Sequence, residues 1–283
     1  KLLNNDDMLF KLLLFNLLAS IIRKFFLFFN IFNAFMSILL QIITSKNNFF
    51  NSRANFLLIL KYNCGDQFLL ISFNMADKDV VNKVPIYKLK TTDEVMKYYD
   101  EWGTNNKYDQ DMIDWKYTGP KETVATFKKY ANNKEIKIYD AGCGTGLVGV
   151  ELKKNSYTNF DGVDLSQKLL DLVPNGLYQN LSKADLNKPL NISDNEYDAI
   201  LCVGTFTFGH VKPQALDEFI RITKNKGLIC FTINEGIYEE YGFDKKINEL
   251  TEKNLWEKKE FFKSNYISSK DVNAWLGLYE VIK

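Results

Sequence analysis

Histidine, cysteine and proline are scarce in this sequence, and their scarcity limits its chemistry. Among 283 residues there are one histidine, four cysteines and five prolines. The cysteines, Cys64, Cys143, Cys202 and Cys230, are not spaced as metal ligands are, so we predict no metal site. Cys202 and Cys230 fall in apolar runs and are expected to pack as small buried side chains. Cysteine usage of this kind fits a reducing compartment.

A strong charge of either sign is also missing. The formal net charge is +1. Residues 1–74 contain 7 Lys and Arg against 3 Asp and Glu, which leaves 29 basic and 32 acidic side chains for residues 75–283. Proteins that bind the phosphate backbone of DNA or RNA present a basic stripe, and residues 75–283 contain none. We therefore do not expect a nucleic-acid partner.

The first 74 residues form an atypical apolar segment. All five prolines and 14 of the 15 glycines come after residue 74, whereas 13 of the 22 phenylalanines come before it. Residues 25–44 are an uncharged run long enough to span a bilayer, and Arg23 and Lys24 precede it as a cytoplasmic flank would.

Three explanations for residues 1–74 stay open. The segment is a translation artefact from AT-rich untranslated sequence, a membrane anchor through residues 25–44, or a buried accessory helix. Met75 stands just before the recognisable domain begins, which favours the artefact. We expect a cytoplasmic protein in that case, and a membrane-anchored protein if residues 25–44 are a true anchor.

Residues 136–149 contain the most informative motif, a strand followed by a glycine-rich turn and a helix. Residues 136–140 form a β-branched and aromatic run typical of a buried strand, which ends at Asp140. In an open α/β sheet, ligands bind at the carboxyl ends of the strands. Three glycines follow at alternate positions and let a ligand approach the backbone closely: Gly142, Gly144 and Gly146.

Two further acids end the next two predicted strands. Asp164 follows residues 160–163 and is placed to accept hydrogen bonds from ribose hydroxyls, and Asp185 follows residues 177–184 and is placed to accept from an adenine amino group. Asp140 is expected to hold the loop or, through water, an ammonium group. Carboxylates repel phosphate but suit cationic and hydroxyl groups, so the pattern favours S-adenosylmethionine.

A dinucleotide remains the alternative at this point. Gly144, Gly146 and Gly149 also satisfy the G-x-G-x-x-G pattern, and Asp164 follows Gly144 by 20 residues, as a dinucleotide fingerprint requires. Short glycine patterns recur by chance, and no Lys or Arg stands near this loop to hold a pyrophosphate.

Asp-Ala-Gly-Cys-Gly-Thr-Gly at 140–146 resembles motif I of class I S-adenosylmethionine-dependent methyltransferases. Over about residues 90–283 the chain is similar to a narrower group, the Williams–Beuren-region methyltransferase-like proteins and their bacterial relatives. The segments that carry this likeness are 99–102 (Tyr-Asp-Glu-Trp), 108–112 (Tyr-Asp-Gln-Asp-Met), 117–120 (Tyr-Thr-Gly-Pro), 148–149 (Val-Gly), 162–166 (Gly-Val-Asp-Leu-Ser), 184–186 (Ala-Asp-Leu) and 203–206 (Val-Gly-Thr-Phe).

The resemblance implies an α/β fold with a Rossmann-like, seven-stranded, mostly parallel sheet, helices on both faces and an antiparallel final strand. It also implies S-adenosylmethionine as the cofactor, but it names no substrate. The sequence pattern supports the fold independently, because strand-like runs alternate with amphipathic segments. We predict strands at 136–140, 159–164, 197–203, 227–233, 261–267 and 275–281 and helices at 147–155, 167–173, 213–224 and 238–258, in a leader or lid (75–134) and a core (135–283).

The positions of particular side chains at strand ends, in the glycine loop and in the leader also predict their roles. The residues predicted to bind the cofactor are Asp140, Gly142, Gly144, Gly146, Asp164, Leu165, Asp185, Leu186, Val203 and Gly204. The leader aromatics predicted to wall a substrate pocket are Tyr99, Trp102, Tyr108, Trp115 and Tyr117. His210, the only histidine, is a candidate general base for a hydroxyl or amine nucleophile.

The methyl acceptor is predicted to be a small molecule, by elimination. The Asn/Asp-Pro-Pro-Tyr/Phe tetrapeptide of many amino-group methyltransferases is replaced by Val203-Gly204-Thr205-Phe206. Cys202 is followed by Val203 rather than by the proline of pyrimidine C5 enzymes. The alternatives are an NAD-dependent oxidoreductase and a non-catalytic S-adenosylmethionine-binding or interaction protein. The sequence does not indicate an oligomeric state.

Overall fold

The computed structural model describes residues 56–61, 68–73, 83–89, 91–104 and 107–283. The chain divides into two units, Lys1–Met75 and Ala76–Lys283. In the first unit, strands β1 (Phe56–Lys61) and β2 (Phe68–Phe73) pair antiparallel. Residues 25–44 lie outside the described residues, so the artefact, the anchor and the accessory helix stay predictions. Within the described ranges, no helix combines the length and apolarity needed to cross a membrane.

The second unit contains an α/β sheet domain preceded by helices. A short 3-10 helix, Pro85–Lys88, opens its described part. The elements that follow are α1 (Thr92–Trp102), α2 (Lys107–Asp114), α3 (Gly119–Phe127), β3 (Ile138–Ala141), α4 (Leu147–Lys154), β4 (Phe160–Asp164), α5 (Gln167–Leu170), β5 (Leu181–Lys183), β6 (Tyr197–Phe206), α6 (Ala215–Ile222), β7 (Thr223–Asn234), α7 (Phe243–Glu252), β8 (Trp256–Ile267) and β9 (Val272–Val281).

The sheet has seven strands in the order β5-β4-β3-β6-β7-β9-β8. The five strands from β5 to β7 pair in parallel, and β9 pairs antiparallel with both β7 and β8. Parallel strands need crossover connections, and α4 and α6 provide two of them. The predicted Rossmann-like sheet with its antiparallel ending is therefore confirmed.

Helices cover both faces of the sheet because its central strands are apolar on both sides. Successive residues of β6 alternate between the two cores: Ile200 packs in one and Leu201 in the other, and both are fully buried. On the first face the strands meet α6 and α7, and on the second they meet α3 and α4. In α6, Leu216, Phe219 and Ile220 recur at helical spacing and form the buried stripe.

Aromatic rings from the three strands at the antiparallel end of the sheet stack on one another. Phe231 of β7 lies parallel to Tyr279 of β9 with ring centroids 5.7 Å apart, and Trp256 of β8 stacks on Tyr279 at 4.2 Å. Gly277 faces Phe231, and a Cβ there would come within 2.8 Å of its ring. The glycine in β9 thus makes room for the phenylalanine in β7.

Several predicted elements had wrong boundaries, among them the strand predicted at 261–267, which begins at Trp256, and the helix predicted at 167–173, which ends at Leu170. The predicted helix 238–258 is shorter, since α7 ends at Glu252 and Trp256 already pairs with Val281 in β8. The predicted helix 213–224 ends at Ile222, because Thr223 pairs with Tyr197 in the sheet. The predicted strand at 177–184, which precedes Asp185, is limited to Leu181–Lys183.

We expect Phe231→Ala to lower the free energy of unfolding by about 3–5 kcal/mol, because it leaves a cavity under two stacked rings. Phe262→Ala is the matched control: Phe262 lies on β8 with 36% of its surface exposed, and its loss is expected to cost less than about 1 kcal/mol. Urea unfolding of both variants measures the difference, and equal losses would contradict the packing described here.

Candidate functional site

A cleft of about 660 Å³, its open mouth included, lies at the carboxyl ends of β3, β4 and β6. Ligand sites of α/β sheets occupy this position, and small-molecule and cofactor sites are concave clefts of this kind. Most of the residues predicted from sequence line the cleft together: Tyr99, Tyr108, Gly142, Gly144, Asp164, Leu165, Asp185, Leu186, Val203, Gly204 and His210.

Several lining residues were not predicted. Thr92, Val95 and Met96 of α1 lie beside Tyr99 at positions i, i+3, i+4 and i+7, so they share one face of the helix. That spacing is a signal which the sequence contained. The other additions follow strand ends or lie in the connecting segments: Leu169, Ala184, Asn187, Thr205, Gly209 and Val211.

The glycine loop opens its backbone to the cleft. Gly142 and Gly144 have φ of +83° and +53°, values that side chains rarely adopt. A Cβ at Gly142 would meet Thr205 Oγ1 at 2.1 Å, whereas a Cβ at Gly144 would meet nothing within 4 Å. Gly144 therefore presents bare backbone to the space in front of it. Gly146 does not line the cleft; it caps the N-terminus of α4 with φ +93°.

Asp164 is the acid best placed to accept a ligand's hydroxyl groups. Its Oδ2 accepts a hydrogen bond from the Gly144 N–H at 2.9 Å, and its Oδ1 accepts one from the Ser166 N–H at 2.8 Å. An ionised carboxylate has about four acceptor sites, and since the Leu165 backbone also forms a hydrogen bond to Asp164, at least one site remains. Burial raises the pKa of Asp164, and these backbone hydrogen bonds oppose that rise.

Asp185 is fixed by its own turn. Its Oδ1 accepts from the Asn187 N–H at 2.9 Å, and the Lys188 ammonium lies 3.5 Å from Oδ2. The carboxylate is thus oriented at the cleft wall while its remaining acceptor sites stay available for an amino group of a ligand.

Asp140 lies behind the cleft wall rather than on it. The side chain is fully buried, and its Oδ2 accepts a hydrogen bond from the Tyr178 hydroxyl at 2.6 Å. Its Oδ1 has no partner in the described part of the chain. Burial raises the pKa of Asp140 to about 7, with the Tyr178 hydrogen bond opposing the rise and the nearby Asp164 adding to it. The negative charge of this carboxylate behind the wall favours a cationic group on a ligand in the cleft.

His210 forms a pair with Tyr99 at the cleft. Its Nδ1 lies 2.5 Å from the Phe208 carbonyl, which only accepts, so Nδ1 carries the proton. The Tyr99 hydroxyl then donates to Nε2 at 3.0 Å. Burial lowers the pKa of His210 to about 4, so the ring is neutral at pH 7. The pair links α1 to the segment after β6.

The other leader aromatics do not line the cleft. Trp102 is buried, donates its indole N–H to Asp111 at 2.6 Å and packs on Trp115 with ring centroids 5.4 Å apart. Tyr117 reaches Tyr266 of β8, with 3.1 Å between the two hydroxyl oxygens. These rings pack with one another and with the sheet because that buries more apolar surface than an open cleft wall would.

A polar contact ties the leader to the glycine loop. The Thr145 hydroxyl donates to Asp109 of α2 at 2.6 Å.

The residues that line the cleft indicate which kind of ligand it fits. Among the described residues, no group of side chains could hold a metal ion, and the cleft lining contains two carboxylates and no Lys or Arg. The donor set therefore fits a ligand with hydroxyl, amino and cationic groups better than one with phosphates.

Comparison with known proteins gives a consistent result. The methyltransferase domain family matches residues 139–231. The chain is 31% identical to methyltransferase-like protein 27 of Homo sapiens over 169 residues, which cover 57% of this chain and 68% of that protein. It is also 31% identical to an uncharacterised protein of Methanocaldococcus jannaschii over 164 residues, 54% of this chain and 68% of the other. The solved structure of a TehB-like methyltransferase from Corynebacterium glutamicum aligns with a TM-score of 0.45 and 20% identity, covering 62% and 97% of the two chains.

We expect the ligand-free protein to lose stability as the pH rises toward 7, and Asp140→Asn to remove that loss. The folded-state pKa of Asp140 is raised to about 7, above the unfolded value of about 3.9. Its stabilising contribution is therefore present below about pH 4 and is lost as the pH rises through about 7. The stability difference between variant and wild type should grow by up to about 1.4 kcal/mol per pH unit in that window. Urea unfolding at several pH values tests this, and a constant difference would refute it.

A second prediction uses the single histidine as a probe. The ring resonances of His210 in NMR spectra are expected to titrate near pH 4. Tyr99→Phe should raise that midpoint, because Nε2 loses the donor that favours the neutral ring. Tyr98→Phe, one residue away on α1, is the control and should leave it unchanged. A wild-type midpoint at the ordinary value of about 6.5 would contradict the buried pair.

Proposed function

Because this chain belongs to the class I S-adenosylmethionine-dependent methyltransferases and is a relative of methyltransferase-like protein 27, we propose that it methylates a small molecule bound in the cleft. The observation that carries the proposal is the pairing of bare Gly144 backbone with the Asp164 carboxylate at the ends of β3 and β4. The lining without Lys or Arg supports an acceptor that has no phosphate.

When bound, S-adenosylmethionine supplies an electrophilic methyl group on a sulfonium. Asp164 would accept a hydrogen bond from the ribose hydroxyls, and Asp185 would accept one from the adenine amino group. Asp140 provides negative charge for the ammonium group. Leu165, Leu186 and Val203 exclude water from the site, which strengthens each of these contacts.

The leader acts as the lid and positions the acceptor. Thr92, Val95 and Met96 of α1 line the cleft together with Tyr99. The contact between Asp109 and Thr145 holds the lid against the cofactor loop. Since methyl transfer is an in-line displacement, orientation and exclusion of water account for most of the acceleration.

His210 acts through Tyr99 rather than alone. A neutral imidazole whose Nε2 already accepts the Tyr99 O–H has no free acceptor for a substrate proton. Tyr99 lines the cleft, and its oxygen takes the proton of the acceptor's hydroxyl or amine while its own proton passes to Nε2. Tyr99 and His210 together therefore accept the proton that the nucleophile releases.

We place the protein in the cytoplasm. Cys143, Cys202 and Cys230 are free and buried, and burial raises the pKa of each thiol. Buried protonated thiols without a disulfide partner are typical of proteins in a reducing compartment.

Calorimetric titration tests the cofactor site directly. The protein should bind S-adenosylhomocysteine and should not bind NADH. Asp164→Asn should weaken that binding by about 10- to 100-fold, because a hydrogen bond to a charged group contributes about 1.5–3 kcal/mol. Asp171→Asn is the matched control, since Asp171 is exposed and lies outside the cleft lining. Binding of NADH alone would refute the assignment, and unchanged affinity in Asp164→Asn would remove it as the ribose anchor.

The class of acceptor is tested with a labelled methyl group. Wild-type protein and S-adenosylmethionine labelled at the methyl carbon are incubated with fractionated cell extract. Label is expected in the low-molecular-mass fraction, and its appearance only in protein or RNA would contradict a small-molecule acceptor. Tyr99→Phe should reduce incorporation while cofactor affinity stays the same. If no fraction incorporates the label although the cofactor binds tightly, a non-catalytic role is favoured.

A further inference from the structure

Tyr178 occupies a position that joins the two sides of the glycine loop. Its hydroxyl donates to Asp140 Oδ2 at 2.6 Å and accepts a hydrogen bond from the Gly149 N–H at 3.2 Å. Asp140 belongs to β3, before the loop, and Gly149 lies in the first turn of α4, after it. One phenol oxygen therefore connects the strand to the helix beneath the loop.

The ring of Tyr178 fits closely against two glycines, where any side chain would collide with it. A Cβ at Gly149 would lie 2.6 Å from the phenol oxygen, and a Cβ at Gly162 would lie 2.9 Å from the ring. Phe160 packs edge-on against the ring, with centroids 5.1 Å apart. The side chain is 8% exposed, so packing fixes the direction in which the hydroxyl points.

We infer that Tyr178 is a positioning residue for the cofactor site, which holds the Asp140 carboxylate behind the cleft wall in the orientation and the ionised state that favour the ammonium group of the cofactor. This inference rests on the proposed function. The hydrogen bond uses Oδ2 only, and Oδ1 is fully buried without a partner among the described residues. A carboxylate so placed would rotate or take up a proton if its donor were removed, because burial without partners is costly.

Because of the groups around Asp140, loss of the Tyr178 hydrogen bond should change the pH at which Asp140 ionises. The titratable groups that face it come from β3, the glycine loop, β4, β6 and the segment before β5: Tyr139, Cys143, Asp164, Cys202 and Tyr178. Burial raises the pKa of the thiols and phenols, so they stay neutral, and Asp164 is the one charged neighbour in this set. The pKa of Asp140 lies near 7 and is lowered by the Tyr178 hydrogen bond. Losing that bond moves the pKa upward.

The experiment is calorimetric titration of wild type and Tyr178→Phe with S-adenosylhomocysteine at pH values on both sides of the Asp140 pKa of about 7. Wild-type affinity should rise through that pH as Asp140 ionises. In Tyr178→Phe the affinity at pH 7 should fall about tenfold, with the midpoint shifted to higher pH so that affinity recovers there. A merely structural role would lower affinity equally at every pH.

Two controls separate the possible causes. Tyr157→Phe removes another fully buried phenol hydroxyl, which donates to the Ala131 carbonyl at 2.6 Å, and it should keep the wild-type pH profile. Adenosine lacks the ammonium group, so Tyr178→Phe should bind it as wild type does. A profile for Tyr178→Phe that coincides with that of wild type overturns the inference.

The proposed function is tested by a different result: it is wrong if wild type binds no S-adenosylhomocysteine at all. If Tyr178→Phe does not fold, wild type and Asp140→Asn still decide the question. The inference requires that affinity for S-adenosylhomocysteine, but not for adenosine, rises through about pH 7 in wild type. It also requires that this rise is absent from Asp140→Asn, and its persistence there overturns the inference.

Discussion

The geometry of the site depends on three successive backbone N–H groups that the glycine loop donates to the end of β4. Gly142 and Cys143 both donate to the Val163 carbonyl at 2.8 Å, and Gly144 donates to the Asp164 carboxylate at 2.9 Å. These bonds lay the loop across the strand end and require the left-handed backbone that glycine allows. The bare backbone that faces the cleft and the orientation of Asp164 both follow from these three hydrogen bonds.

The leader contributes as much to the site as the sheet does, because it is attached to the sheet at several separate points. Tyr99 is bonded to His210, Asp109 to Thr145, and Thr118 donates its backbone N–H to the Tyr266 carbonyl at 3.0 Å. Each contact joins a leader residue to a loop that borders the cleft or to β8. The cleft is therefore a composite of sheet ends and helix faces, and its shape changes if either part moves.

Much of this arrangement could be predicted from sequence, and the exceptions have physical reasons. Strand ends are readable, and Asp164 and Asp185, which were predicted from two of them, both line the cleft. Tyr178 was assigned to a strand because a short, weakly apolar segment does not reveal that two distant glycines make space for its ring. Residues 256–258 were assigned to a helix because an exposed edge strand alternates charges much as an amphipathic helix does, and only pairing with β9 identifies it. Trp102 and Trp115 were expected at the cleft, but aromatic residues on neighbouring helices pack on each other first.

The position of β9 has a consequence for how the domain is assembled as the chain is synthesised. This strand is made after β8, yet it lies between β7 and β8 and forms the antiparallel pairs with both. Until β9 has emerged, β8 has no strand to pair with, and one side of β7 exposes unpaired N–H and C=O groups. Such an edge can pair with another chain. The nascent domain thus carries an open sheet edge through the synthesis of both α7 and β8, and a single late hairpin closes it.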